Sequence, residues 1–153
     1  MDVLVAYEGQ RGRAGLAADA IAKAAGAYSI PTLVREIDDI APGDFAVVDA
    51  LIAGCWTPGD VPFGGEPTLR MASWIESLQP FDGMPIGVFC TYTFFPHTFA
   101  DTAARTAETL NEMSNRFELR GGRVVASRSM YIKSLADAAA DLVGRVLEQL
   151  PGN

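Results

Sequence analysis

Short apolar runs alternate with longer stretches of helical period along this chain. Val3 to Tyr7, Ala50 to Ala53, Ile86 to Cys90 and Val124 to Ala126 are apolar on consecutive positions rather than alternate ones. Strands covered by helices on both faces read this way, because neither face meets water. Thr32 to Ile37 breaks the pattern with Arg35 and Glu36, which predicts a partly exposed edge strand. Between the runs, apolar residues recur at the three- and four-residue spacing that gathers them on one helix face. Leu16, Ala17, Ile21, Ala24 and Ala25 form one stripe, closed by Gly26. Leu69, Ala72, Ile75 and Leu78 form a second. Phe99, Ala103, Ala107, Leu110, Met113 and Phe117 form a third, which ends before Gly121-Gly122. Leu135, Ala138, Ala139, Leu142, Val146 and Leu150 form the last, stopped by Pro151-Gly152. Thr98 and Ser134 each stand three residues ahead of an aspartate, where N-caps with an acidic N3 residue belong. Only the helix between the second and third strands is short, over Gly43 to Val48.

Five strands alternating with helices predict an α/β fold, a three-layer sandwich with a five-stranded parallel sheet between helices. Right-handed crossovers leave few topologies, and at this length the strand order 2-1-3-4-5 is the natural one. No repeat, low-complexity tract or composition break divides the 153 residues, so 1–153 reads as one domain. In such sheets a ligand sits beyond the carboxyl ends of the strands, where the order reverses between strands 1 and 3. That rule selects three loops: Glu8 to Gly15, Cys55 to Pro67 and Thr91 to His97.

Composition narrows the partners. Forty-nine per cent of the chain is apolar, enough for a core without a disulfide or structural metal. Nineteen acidic residues against twelve basic ones give a net charge of −7. Phosphate backbones and anionic lipids bind lysine and arginine, so neither nucleic acid nor membrane is an expected partner. A cationic protein is one that such a field would attract. The opening residues lack a basic n-region and no uncharged apolar run approaches the roughly 18 residues of a membrane span. The longest apolar stretch, Met84 to Pro96, is broken by Pro85, Gly87 and several threonines. The expectation is a cytoplasmic protein.

The three loops carry the candidate chemistry. The first runs Glu8-Gly9-Gln10-Arg11-Gly12-Arg13-Ala14 into a helix. Glycines let the backbone turn, a helix start offers unpaired amides, and arginine forks suit a phosphate. The plainer alternative is an ordinary turn with solvated arginines. The second loop holds Trp56 and Phe63 among three prolines (58, 62, 67) and three glycines (59, 64, 65). The third, Thr91-Tyr92-Thr93-Phe94-Phe95-Pro96-His97, is dense in aromatics and hydroxyls. Aromatics at a sheet mouth clasp a planar ring by stacking, or cover the sheet end by packing on each other. Taken together, the three loops suit a phosphorylated planar aromatic ligand.

Over essentially its whole length the chain resembles the short-chain flavodoxins. The opening Val3-Leu4-Val5-Ala6-Tyr7-Glu8 with its Gly-x-x-Gly turn is similar to the start of many flavodoxin-like proteins. Asp49 to Asp60, with the core Gly54-Cys55-Trp56-Thr57-Pro58-Gly59-Asp60, resembles their third strand and second flavin loop. The resemblance implies bound flavin mononucleotide (FMN) and one-electron transfer between protein partners, in a monomer or weak dimer. It assigns the phosphate to Glu8–Ala14 and the flavin ring to Cys55, Trp56, Thr57, Pro58, Gly59, Thr91, Tyr92, Thr93 and Phe94. Asp60 and the net charge would disfavour added negative charge on the reduced ring, and acidic residues would dock a basic reductase or acceptor. The family's first loop usually bonds the phosphate with hydroxyls, and here that loop has none. The stacking tryptophan that often precedes the Gly-Asp pair is replaced by Pro58, with Trp56 two positions earlier.

Two other readings stay open on the same residues. One is an FMN-dependent quinone or nitro reductase using a nicotinamide cofactor. The other is a cofactor-free module of the same fold that binds a protein. Cys55 and Cys90 end strands that the order 2-1-3-4-5 makes neighbours, so they could form a redox pair. Their plainer role is as two small buried hydrophobes. His97 has no identifiable partner, Asp38-Asp39 read as solvated turn carboxylates, and no hydrolase elbow or triphosphatase loop is present.

Overall fold

Each apolar run becomes a parallel strand, and most grow beyond the run that predicts them. In the computed structural model, residues 1–9, 13–56, 67–92 and 99–151 are described, with the side chains of the longest helix described from Ala103 onward. The order is β1 (Val3–Tyr7), α1 (Arg13–Gly26), β2 (Thr32–Glu36), β3 (Ala50–Trp56), α2 (Leu69–Ser77), β4 (Pro85–Tyr92), α3 (Phe99–Leu119), β5 (Arg123–Tyr131) and α4 (Leu135–Leu147). The five strands form one parallel sheet in the order β2-β1-β3-β4-β5. Among the described residues no helix is long and apolar enough to cross a membrane.

Alternation along the strands divides the core in two. Val3, Val5, Ala50, Ile52 and Phe89 pack against α1 and α4. Leu4, Ala6, Leu51, Ala53, Cys55, Val88 and Cys90 pack against α2 and α3. Small residues at the centre are what allow large ones beside them. A Cβ on Gly54 would lie 2.4 Å from the ring of its register partner Phe89. On Gly87 it would meet Val146 of α4 at 2.8 Å.

The structure corrects several sequence expectations. β5 is an outer edge strand of alternating burial, so Val124 to Ala126 is only the inner part of a nine-residue strand. The segment from Gly43 to Val48 is not an α-helix; two 3-10 turns, Ile37–Asp39 and Pro42–Val47, connect β2 to β3. In α1, Leu16 is 53% exposed and Ala14 and Ala18 take its place in the core. In α2, Leu69 is 83% exposed, and the inward face holds Met71 and Ile75 with Trp74 and Leu78 alongside. Both stripes have helical spacing, and the one with methionine and tryptophan buries more apolar surface. In α3, Ala103 and Ala107 face water while Thr106 and Thr109 are buried. The Thr109 hydroxyl donates to the Arg105 carbonyl at 2.9 Å, so its burial leaves no polar group unmet. Ser134 stands at the start of α4 without a capping hydrogen bond from its side chain. Leu150 is buried beyond the end of α4. Thr98 and the side chain of Phe99 lie outside what the structure describes.

Candidate functional site

The carboxyl ends of β1 and β3 meet at a glycine. The Glu8 N–H donates to the Gly54 carbonyl at 3.0 Å, which carries the ladder one residue past β1. Gly9 then turns with φ of 145°, a conformation that residues with a Cβ rarely adopt. A Cβ there would sit 3.7 Å from Ala14 and 3.8 Å from the Trp56 ring. The Gly9 backbone, the buried start of α1 and the Trp56 indole therefore converge on one spot. Trp56 is 36% exposed at the end of a strand that is otherwise buried. The first turn of α1 carries no acidic residue, and Arg13 begins the helix. A cation at the positive end of a helix dipole is electrostatically adverse, and an anion placed there relieves both charges.

Glu8 serves a different neighbour. It is only 6% exposed, and its carboxylate accepts the Thr68 hydroxyl at 3.0 Å and Arg70 Nη1 at 3.2 Å. Arg70 Nη2 also reaches Glu36 at 3.2 Å and bonds Asp38. Burial works against the Arg70 charge, and Glu36, Asp38 and Glu8 together outweigh that, holding its proton more tightly than usual. Asp38 is thus an ion-pair partner, not simply a solvated turn carboxylate. The Thr68 oxygen in turn accepts the Met71 N–H at 3.2 Å, which caps α2. One cluster pins the ends of β1 and β2 to the start of α2. Thr68→Ala removes both the cap and a donor to a buried carboxylate. It is expected to lower unfolding free energy by about 1–2 kcal/mol in urea melts, with Thr68→Ser recovering most of it.

At the end of β4, Thr91 lies in register between Trp56 and Met130. Its hydroxyl is buried and has no hydrogen-bond partner among the described residues. A buried hydroxyl left unmet costs about 1–3 kcal/mol, which a ligand's polar atom would offset. Tyr92 stacks on Tyr131 of β5 with ring centres 5.5 Å apart and planes 27° from parallel.

One strand-pair position carries two cysteines. Cys55 and Cys90 are register partners on β3 and β4, both fully buried and reduced. The Cys90 thiol beside it, together with burial, holds the Cys55 thiol well above its ordinary range.

Of the residues that sequence reasoning placed at the site, Gly9, Ala14 and Trp56 come together. Arg13 stands at the adjoining helix start, and Thr91 and Cys55 lie on neighbouring strands. Tyr92 ends the same strand as Thr91, whereas the Glu8 carboxylate is turned to α2. Gln10, Arg11, Gly12, Thr57, Pro58, Gly59, Thr93 and Phe94 lie outside the described residues. Sequence reasoning missed Thr68, Arg70, Glu36 and Tyr131. Thr68 had a signal, a hydroxyl residue directly before an apolar helical run. Arg70 had none, because its partners come from the residue after β1, the end of β2 and the turn that follows it. A separate apolar cavity of 380 Å³, lined by Ile37, Phe45, Trp74, Leu78 and Phe81 among others, includes no residue of the three loops.

The architecture is flavodoxin-like. A flavodoxin from Streptococcus pneumoniae TIGR4 superposes with a TM-score of 0.72 at 16% identity, covering 98% of this chain and 100% of its own. A Fusobacterium nucleatum flavodoxin, solved bound to flavin mononucleotide, gives 0.72 at 10% identity, with 97% and 98% covered. The Megasphaera elsdenii flavodoxin in its two-electron-reduced form gives 0.60 at 19% identity, with 91% and 98% covered. No protein-family model matches the chain. No curated protein sequence matches it either. At these identities the likeness is one of fold.

Proposed function

We propose that the chain binds FMN at the carboxyl ends of β1, β3 and β4 and carries electrons between protein partners. The observation that carries this reading is the meeting of the Gly9 turn, the start of α1 and the half-open Trp56 ring. It joins an anion-favouring helix start to a face for a planar ring, as a flavin phosphate requires. The unmet Thr91 hydroxyl supplies a polar contact nearby, so the residues present fit the cofactor.

FMN supplies the redox chemistry when bound, and the protein supplies binding, orientation and electrostatics. Arg13, the first amides of α1 and the Gly9 backbone would hold the phosphate, with Gln10, Arg11 and Gly12 completing that loop. Trp56 would stack on the ring, with Thr57, Pro58 and Gly59 following it. Thr91 and Tyr92, with Thr93 and Phe94, would border the other side. The Thr68–Glu8–Arg70 cluster would fix the start of α2, which follows the second loop. The net charge of −7 suits transient docking of a basic reductase or acceptor, through contacts that salt weakens.

The carrier reading is tested by mixing FMN-loaded protein with NADPH under anaerobic conditions. The visible flavin band should persist with NADPH alone. It should bleach when a basic NADPH-dependent reductase is added, more slowly at high salt. Rapid bleaching by NADPH alone would favour a nicotinamide-dependent reductase of the same fold.

A further inference from the structure

We infer that Cys55, Cys90 and Met113 form a soft-cation site that takes one monovalent copper ion. Beneath the carboxyl ends of the central strands the Cys55 sulfur lies against two others, those of Cys90 and Met113. Cys55 and Cys90 are directly paired in register, and their thiols lie within hydrogen-bonding reach of each other. The Cys55 S–H also points at the Met113 thioether of α3, 3.7 Å away. All three side chains are fully buried.

Burial of a small hydrophobe explains one cysteine in a core, and a second by chance. It leaves open why a third polarizable sulfur, that of Met113, stands against the pair. The spacing suits a shared ion. Metal–sulfur bonds of about 2.3 Å place two sulfurs about 3.8 Å apart in tetrahedral and about 4.0 Å apart in trigonal geometry. Thiolate with thioether is a soft donor set, and soft donors suit Cu(I). The backbone N–H of Thr68, the N-cap of α2, also bonds to the Cys55 sulfur. Binding breaks two S–H bonds, forms two Cu–thiolate bonds and one Cu–thioether bond, and releases two protons to solvent. No electron is transferred.

The site uses none of the residues proposed to bind the flavin except Cys55, and its test is independent of that reading. FMN-free protein is titrated anaerobically with Cu(I) held by bicinchoninate, a coloured competing chelator. One equivalent should move to the protein. Cys55→Ser and Cys90→Ser should each weaken uptake at least about a hundredfold, and Met113→Leu about tenfold, with far-UV circular dichroism unchanged. X-ray absorption of the loaded wild-type protein needs no variant, and should show three sulfurs at about 2.3 Å. Copper that stays on the chelator, a first shell of nitrogen or oxygen, or unchanged uptake by a folded Cys55→Ser/Cys90→Ser double variant would overturn the site.

Discussion

Gly54→Ala is expected to destabilise the protein by about 3 kcal/mol or to prevent folding outright, at the upper end of what overpacking costs. The added methyl carbon would stand 2.4–2.5 Å from three atoms of the Phe89 ring. That approach is far inside van der Waals contact, and neither partner can yield easily. Gly54 is held between β1 and β4 by two parallel ladders, and Phe89 is fully buried against the α1–α4 side. Relief requires moving a central strand or expelling an aromatic ring. Phe89→Leu in the same background should therefore recover a substantial part of the loss, although alone it is destabilising. Urea unfolding of the four proteins in this cycle measures the coupling. A Gly54→Ala variant within about 0.5 kcal/mol of the parent would show that the strand ends are looser than the structure describes.

Trp56→Ala is expected to weaken FMN binding about 10- to 100-fold, since stacking an aromatic side chain on a base is worth about 1–3 kcal/mol. Its effect on stability should be small, because Trp56 is partly exposed whereas Trp74, the only other tryptophan, packs against Phe45 and Phe117. This separation lets binding be read without a folding artefact. It also assigns the fluorescence: quenching by FMN should come mainly from Trp56 and fall sharply in the variant. Equal dissociation constants for parent and variant would remove Trp56 from the ring site.

Much of the fold was legible because the strands are apolar on both faces and the helices are periodic on one. β1 and the start of β2 match their apolar runs residue for residue, and the order of the sheet followed from handedness and length. Rotation of the helices was less legible. A stripe at Leu69, Ala72, Ile75 and Leu78 and another at Met71, Trp74, Ile75 and Leu78 have the same period, and only packing decides between them. Thr109 escaped because hydropathy does not register a hydroxyl satisfied within its own helix. At the site, Gly9 and Trp56 were legible as turn and ring. The Glu8–Arg70–Glu36–Asp38 cluster was not, because it joins β1, the end of β2 and α2 across more than thirty residues of sequence. The cysteine pair was legible as a neighbourhood once the strand order was known. Met113, which gives that neighbourhood its third sulfur, read only as a core position on α3.

FMN binding at the carboxyl ends of β1, β3 and β4 is the proposal on which the carrier function rests. The most direct measurement is a visible absorption spectrum of the purified protein after incubation with FMN and desalting. Retained bands at about 370 and 450 nm, shifted from free flavin and corresponding to one flavin per chain, are the expected result. A colourless protein, with all the flavin in the low-molecular-weight fraction, would contradict the claim and favour a cofactor-free module of the same fold.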